Sequence, residues 1–307
     1  MKNELEKRAL FVFTPPESKR FIAKAVARLP EVKRAKADGE IVIGHGSTNV
    51  RVAQEILGLC PEPDKFISGL LINGILCVTQ AEEKPPMVVI RKGELVPPEP
   101  TMEEVLANFG QDSVFIKGAN AIDPEGNVGV YVAHPSGGTI GFAYGILSAR
   151  GCPIIAPVGL EKLIPSVKEA ANHLGQKTLY YSTGIRIGMI PMMNARAVTE
   201  IDAFRILFDV RAVYAGGGGL SGSEGSVVIV AEGRKDRIDR AIDLIESIKG
   251  EPPLQPGKSR CETCFPSTPS MKLSEDVKGK TAVEHCMFRG RKEEGLPPYL
   301  REKVFRD

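Results

Sequence analysis

The chain has 307 residues, of which 42% are hydrophobic and 25% charged, a composition typical of soluble globular proteins and a length that predicts two domains of unequal size. Its 40 lysines and arginines nearly balance its 38 aspartates and glutamates, and tryptophan is absent, which argues against nucleic acid as the partner. No apolar stretch approaches the roughly 20 residues of a membrane span, so we expect a cytoplasmic protein without a membrane partner.

The first elements in chain order are short and apolar. Residues 10–13 predict a strand or a packing hook, and residues 17–28 have helical spacing after two prolines that suit a helix start. Residues 66–78 predict a buried strand or a loop–strand passage, residues 87–91 predict a second strand, and a capping box at Thr101 precedes a short helix. Prolines on both sides of the second of these strands indicate that its flanking loops are extended rather than helical.

A strand, a glycine loop and a helix follow one another between residues 40 and 57. The strand is EIVI, and apolar residues recur at helical spacing after the loop. The loop itself consists of Gly44, His45, Gly46, Ser47 and Thr48. Glycines allow close backbone approach, a hydroxyl can cap the helix, and the free N–H groups favour a phosphate or a carboxylate. An ordinary capped helix start explains the same pattern, and we interpret His45 as a hydrogen-bonding loop residue rather than a proton carrier.

The stretch from residue 112 to residue 141 is the strongest candidate for a working centre. Its apolar start predicts a buried strand, and ligands of open α/β sheets collect where such strands end. The residues that bring a cation, amides and a carboxylate to this edge are Lys117, Gly118, Asn120, Asp123 and Asn127. Gly137, Gly138 and Thr139 lead into an apolar helix whose N-terminus we expect to point back at the same place. A strand–turn–strand with ordinary turn residues is the competing interpretation.

These two segments occur in an order known from one group of α/β proteins. IGHGSTNVRVAQEIL resembles the IGxGSTxxxxxxxxL segment of ribose-5-phosphate isomerases, and a related loop occurs in the sugar-sensing domain of DeoR-type regulators. FIKGANAIDPEGNVG resembles the GADxIxxNGxxxNKIGT segment of methylthioribose-phosphate isomerases and the GADEVD motif of ribose-5-phosphate isomerases. The same fold group includes CoA transferases. The resemblance covers roughly residues 13–168.

The resemblance implies an α/β fold with a mostly parallel sheet, helices on both faces, and a small anionic metabolite as ligand. Sugar phosphates and acyl-CoA esters are the ligand classes of the group. By position, the residues implied to contact the anionic end are Gly44, Gly46, Ser47 and Thr48. Lys117, Asn120 and Asp123 are implied to face its hydroxyls or carbonyl, with Asp123 and Lys117 catalytic in isomerisation or group transfer.

The sequence also departs from the isomerase pattern. Asn120 stands where both isomerase motifs have their first aspartate, and an amide cannot relay protons between carbons. Asp123 is then the best remaining carboxylate for acid–base work. A non-catalytic binding or regulatory protein is the competing hypothesis, although no helix-turn-helix signature indicates a DNA-binding regulator.

After residue 176 the pattern changes, and we divide the chain into residues 1–176, 177–250 and 251–307. Strands are predicted at 185–191, 211–215 and 226–231, and helices at 197–208 and 237–248. This β-α-β-β-α order predicts a smaller, ferredoxin-like α+β domain that is suited to self-association, so we expect a homo-oligomer. The glycine-rich loop 216–225 is interpreted as a flexible hairpin loop or a loop that closes on a ligand phosphate, with Glu224 the residue to test first. The last segment is an irregular, proline-rich tail.

The tail contains the only clustered cysteines of the sequence. Cys261 and Cys264 form a CxxC motif, and Cys286 follows His285 directly. The CxxC motif places two thiolates on one ion and the His–Cys pair could complete four zinc ligands, although adjacent His and Cys residues cannot easily bind one tetrahedral ion. Three thiolates plus one outside cysteine equally suit an iron–sulfur cluster. The outside candidates are Cys60, Cys77 and Cys152. A redox dithiol and simple structural thiols are the alternatives, and structural thiols are the more common case.

Overall fold

The computed structural model of the chain describes residues 6–79, 84–97, 101–264 and 286–301. These residues form a mixed α/β fold, which confirms the expected class at that level. The helices are α1 (Pro15–Val26), α2 (Pro30–Asp38), α3 (Ser47–Leu57), α4 (Met102–Leu106), α5 (Gly138–Arg150), α6 (Val167–His173), α7 (Glu200–Phe208) and α8 (Lys235–Ile248). The strands are β1 (Lys7–Phe13), β2 (Glu40–Ile43), β3 (Gly69–Ile72), β4 (Ile75–Val78), β5 (Val88–Arg91), β6 (Glu94–Val96), β7 (Val114–Ile116), β8 (Ala121–Ile122), β9 (Val128–Val132), β10 (Ile154–Pro157), β11 (Gly188–Met192), β12 (Arg196–Val198), β13 (Arg211–Gly218) and β14 (Ser226–Gly233).

The short apolar runs of the sequence build a central six-stranded sheet. Its strand order is β12-β10-β7-β2-β5-β6, and β2, β7 and β10 are buried along their whole length, as expected where both faces of a sheet are covered. The strands from β12 to β2 run parallel, whereas β5 and β6 join antiparallel. The sheet is therefore mixed, and the parallel arrangement implied by the resemblance extends over one side only.

The parallel pairing of β2 with β7 brings the two candidate loops together. Ile43 and Ile116, the last residues of these strands, are directly paired. Because neighbouring parallel strands end at the same edge of a sheet, the loops that follow them emerge side by side. The distance of about 70 residues along the chain between the two motifs is thus closed by the sheet itself.

The elements after residue 176 do not pair among themselves as a ferredoxin-like unit. β11 pairs with β9, β12 joins the central sheet beside β10, and β13 and β14 form a sheet with β1. The helix expected from residue 197 begins at Glu200, because residues 196–198 are strand β12 and Thr199 forms a capping box with Asp202. The start of this stretch has helical spacing but forms a strand, because it pairs with β10. Such a long-range contact cannot be recognised from the local sequence pattern.

Two apolar cores cover the opposite faces of the central sheet, since alternate residues of each strand belong to different cores. The larger core receives residues of α1, α3, α7, α8 and the β1–β14–β13 sheet, and its centre is aromatic, with the Phe21 ring 4.9 Å from that of Phe204 and 5.1 Å from that of Phe13. The second core receives residues of α4 and α5. Every helix within the described ranges is too short or too polar to cross a bilayer.

Candidate functional site

A cavity of about 240 Å³ lies at the edge of the sheet where β2 and β7 end. The predicted site residues that line it are His45, Gly46, Ser47, Thr48, Lys117, Gly118, Asn120, Gly137, Gly138 and Thr139. Both candidate loops and the start of α5 therefore face one space. Its lysines are Lys84, Lys117 and Lys162, and among the described residues no aspartate or glutamate lines it.

The first loop presents the N-terminus of α3 to this cavity. Gly46 is the N-cap, with φ 155° and ψ 148°, a conformation that favours glycine. Its N–H donates to the Phe66 carbonyl at 3.0 Å, and the Asn49 amide donates to the Gly44 carbonyl at 2.6 Å. The expected cap by a hydroxyl is wrong, because Ser47 already belongs to the helix and no side chain caps it. The positive end of the α3 dipole is therefore available to a ligand.

Lys117 joins the two loops. Its ammonium donates to the His45 carbonyl at 3.3 Å and to the Gly118 carbonyl at 3.4 Å. The side chain keeps some surface open to the cavity but is otherwise enclosed by protein. This burial, with a smaller effect from Lys162, lowers the pKa of Lys117 to about 8. Gly44 does not line the cavity; a Cβ there would lie 3.1 Å from Lys117 Cδ, so the glycine makes room for the lysine side chain.

His45 is buried and neutral. Its Nε2 lies 2.7 Å from the Pro85 carbonyl, to which it donates, and its ring packs 4.8 Å from the ring of Phe66. Burial lowers the pKa of His45 to about 4; the hydrogen bond with Pro85 opposes this effect, and the nearby Lys84 and Lys117 add to it. At neutral pH this histidine is therefore uncharged, and its contacts with Pro85 and Phe66 hold the loop in place.

The second helix N-terminus comes from α5. Gly137 is its N-cap with φ 80°, and Gly138 follows with φ 60°, so both positions favour glycine. No side chain caps this helix either. The two glycines turn the chain after β9 so that Thr139, in the first helical turn, faces the cavity.

Two lysines of the cavity were missed by the sequence reading. Lys162 lies in the 3-10 turn after β10 and donates to the Ala119 carbonyl at 3.1 Å. The sequence could have indicated Lys162, because it follows the buried strand β10. This strand is the parallel neighbour of β7 and ends at the same edge of the sheet. Lys84 is buried and follows directly on residues that the structure does not describe, and no local motif marks it.

Part of the cavity lining is apolar. It consists mainly of the β3–β4 hairpin and of residues near β9 and β11, including Leu70, Leu76, Val130, Ile185 and Ile187. A ligand there would thus meet cations and backbone N–H groups at one end and hydrocarbon along its side.

Asp123 and Asn127 do not line the cavity, which corrects their expected place in the site. The Asp123 carboxylate accepts hydrogen bonds from the backbone N–H groups of Glu125, Asn127 and Val167 and from the Asn127 side chain, at 2.9 to 3.2 Å. Burial acts to raise its pKa, but these donors together lower it. Asp123 therefore shapes its own turn and holds the start of α6, a structural role that the GADEVD resemblance did not imply.

Replacing Asp123 with asparagine should destabilise the fold without removing the cavity. The side-chain NH₂ of asparagine is a donor and cannot accept from the backbone N–H groups that the carboxylate now binds. We therefore expect the free energy of unfolding to fall by about 2 kcal/mol. Chemical denaturation of the variant measures this loss, and ligand titration measures binding. Loss of binding in a variant that keeps its stability would contradict the structural role.

The glycine-rich loop between β13 and β14 lies apart from this site. None of its residues lines the cavity, and the Glu224 carboxylate accepts from the Gly222 N–H at 2.8 Å within the loop itself. The structure therefore gives no support to the interpretation that this loop closes on a ligand phosphate.

The tail cysteines meet at a second, smaller place. Cys261, Cys264 and Cys286 line a cavity of about 20 Å³ together with Cys77 of β4. Cys60 and Cys152 are buried elsewhere, and His285 lies outside the described residues. Burial raises the pKa of Cys77 to about 12 and raises the pKa of Cys261 and Cys286 as well, which disfavours a redox dithiol.

Comparisons with protein families, curated proteins and solved structures found no match to this chain. The resemblance to sugar-phosphate isomerases and CoA transferases therefore stays a prediction.

Proposed function

We propose that this chain binds a small anionic metabolite, a sugar phosphate or the anionic end of an acyl-CoA-like molecule, in the cavity between α3 and α5. One observation carries the proposal: three lysines and two uncapped helix N-termini line a single cavity whose described lining has no carboxylate. Each helix N-terminus adds a positive partial charge of about half an elementary charge. Anions are the ligands that free N–H groups at helix N-termini favour.

The enclosed position of Lys117 strengthens this argument. Burying an ammonium without an opposite charge is unfavourable, and the nearest charged neighbour that acts on its pKa is another cation, Lys162. A phosphate or carboxylate beside Lys117 would supply that opposite charge, whereas the Lys162 ammonium already lies 3.9 Å from the Glu161 carboxylate and donates to the Ala119 carbonyl. The bonds of such an anion to Lys117 would be charge-assisted and therefore stronger than neutral hydrogen bonds.

The volume of the cavity limits the size of the ligand. At about 240 Å³ it is smaller than the roughly 300 to 1,000 Å³ of sites for drug-sized molecules. A phosphorylated sugar of a few carbons fits this class, whereas only one end of a CoA ester would enter. The apolar wall favours a ligand with a hydrocarbon or sugar-face surface opposite its charge.

Catalysis by isomerisation or group transfer is the second candidate function. Lys117 supports it, because an amine whose pKa is about 8 can exchange a proton near neutral pH. Against it, Asn120 is an amide whose oxygen accepts from the Tyr131 N–H at 3.0 Å, and Asp123 points elsewhere. Binding without turnover therefore has the better support.

A thermal-shift series tests the binding proposal. The compounds are inorganic phosphate, ribose 5-phosphate, acetyl-CoA and, as the uncharged control, ribose. We expect the anions to raise the melting temperature in a concentration-dependent way, since a ligand at 100 times its Kd stabilises the folded state by about 2.7 kcal/mol. Equal effects of ribose and ribose 5-phosphate, or no effect of any anion, would contradict the proposal.

The affinity for an anion should fall as the pH rises through the pKa of Lys117. That pKa is about 8 without ligand, and an anion binds the protonated amine, so affinity is fully present below pH 8 and declines above it by up to about tenfold per pH unit. Lys162 and Lys84 face the same cavity and sustain residual binding. Calorimetric titration with ribose 5-phosphate, a ligand that is fully ionised at pH 8 and above, measures the trend between pH 7 and pH 10. An affinity that is constant over this range would show that Lys117 does not bind the anion.

A further inference from the structure

Four cysteines from three distant parts of the chain line one small cavity. Cys77 belongs to β4, Cys261 and Cys264 form the CxxC motif, and Cys286 follows more than twenty residues later. The remaining two cysteines are not among its lining residues. A free cysteine packs like any small apolar side chain, so its reactivity, which includes metal binding, is what distinguishes a cluster of four.

The backbone around these cysteines is held by many hydrogen bonds. The Gly290 N–H donates to the Cys261 carbonyl at 2.8 Å, and the Arg289 side chain donates to the Cys264 carbonyl at 2.8 Å. Cys286 forms an isolated antiparallel bridge with Ile185. These contacts join the segment that contains Cys261 and Cys264 to the segment that follows Cys286, and they join Cys286 to Ile185.

The hairpin is fixed to the same segments. The Ser259 N–H donates to the Val78 carbonyl at 3.0 Å, which places the start of the CxxC segment beside the end of β4. Lys258 also reaches this place, with its ammonium 3.9 Å from the Cys261 sulfur.

From this juxtaposition we propose that Cys77, Cys261, Cys264 and Cys286 bind one zinc ion through four thiolates. Binding releases the four thiol protons to solvent and involves no oxidation or reduction. Zinc prefers this tetrahedral sulfur environment, with zinc–sulfur distances of about 2.3 Å. The site would fasten the tail to the hairpin that forms a wall of the anion cavity, because Cys77 lines both cavities.

The cavity between the cysteines is small. Its volume of about 20 Å³ is close to the space of one water molecule, which suits a single ion. Within the described ranges no three His, Cys, Asp or Glu side chains are already arranged to hold a metal. Zinc binding therefore requires a rearrangement of the cysteine side chains among their staggered χ1 rotamers.

The test uses the full-length chain, purified anaerobically with a reductant. Elemental analysis should find about one zinc and no iron per chain, and cobalt substitution should give the strong thiolate-to-cobalt charge-transfer band of a tetrahedral four-thiolate site. In the Cys77→Ser variant this band should lose about a quarter of its intensity and zinc affinity should fall at least tenfold. Cys152→Ser is the matched control, since Cys152 is buried in the second core away from this cavity, and it should keep both properties.

Thiol alkylation of the wild-type chain supplies a readout that does not depend on how the variants fold. With zinc bound, alkylation followed by peptide mass analysis should find Cys77, Cys261, Cys264 and Cys286 protected, and a chelator should expose all four. The absence of bound metal after incubation with zinc would overturn the proposal, as would an iron–sulfur chromophore. An unchanged cobalt spectrum in Cys77→Ser, or protection of only the tail cysteines, would overturn the role of Cys77.

Discussion

The Lys117→Met variant should bind phosphate esters roughly 10- to 150-fold more weakly than the wild type, which is the largest effect on binding that we expect from a single substitution. Lys117 is the cation that touches both loops, through the carbonyls of His45 and Gly118. Hydrogen bonds to charged groups contribute about 1.5 to 3 kcal/mol, and each 1.4 kcal/mol corresponds to about tenfold in Kd.

The same variant should not be less stable without ligand. Methionine matches the length of most of the lysine side chain and removes an ammonium whose burial is unfavourable. We therefore expect its melting temperature to equal or exceed that of the wild type when no anion is present. Affinity that falls while intrinsic stability is retained separates a binding role from a structural one.

A matched control is Lys33→Met, because Lys33 is exposed on α2 and does not line the cavity. Calorimetric titration with ribose 5-phosphate should give wild-type affinity for this control and should show that the decline in affinity above pH 8 is absent in Lys117→Met. Equal affinities of the two variants would refute the assignment of Lys117 to the anion site.

The second large effect concerns the stability of the fold. Glu200, the first residue of α7, is fully buried. Its carboxylate accepts from the Ser18 hydroxyl and, at 3.0 Å, from the Leu160 N–H. Burial raises the pKa of Glu200 to about 7 from the usual 4.5 despite these bonds, and the neighbouring Glu161 contributes to the rise. The folded chain therefore holds a proton at pH 6 that the unfolded chain has released.

The direction of the pH effect follows from this difference. A folded state that binds more protons than the unfolded state is most stable below pH 4.5, where both hold the proton, and loses stability as the pH rises toward 7 and slightly beyond. A rise from 4.5 to about 7 corresponds to about 3 kcal/mol. The glutamine in Glu200→Gln cannot ionise. We therefore expect the free energy of unfolding of this variant to fall by about 3 kcal/mol less than that of the wild type as the pH rises through this range.

Urea denaturation at several values between pH 5 and pH 8 measures this difference directly. Glu246→Gln is the matched control, since Glu246 is exposed on α8, and its stability should follow the wild-type curve. Parallel curves for the wild type and Glu200→Gln would mean that the carboxylate ionises in the folded chain as it does in water.

Much of the cavity lining was predictable from local sequence. The residues from Gly44 to Thr48 and from Lys117 to Asn120 were identified because glycine, hydroxyl and amide residues directly follow short apolar runs. Strands of this kind end at a common edge when they run parallel, which β2 and β7 do. The prediction that the two loops lie side by side needed only the rule that neighbouring parallel strands end at the same edge of a sheet.

Asp123 shows why the rest could not be predicted. The motif places a carboxylate three residues after Asn120, but only the fold brings the N–H group of Val167 to that carboxylate at 3.0 Å. A buried carboxylate takes whichever donors surround it. Sequence position alone therefore could not separate a residue that meets the ligand from one that holds a helix.

The sequence by itself determined the positions of most helices and strands, the glycine turns at Gly46 and Gly137, and the polar residues that end β2 and β7, because these depend on contacts a few residues apart. Only the tertiary structure decided that Lys162 joins Lys117, that the β3–β4 hairpin closes the cavity, and that Cys77 meets the tail cysteines. Those meetings depend on strand order and on packing between segments as far apart as residues 77 and 286. Many chain paths satisfy the same local pattern, and the burial of the two cores selects one of them.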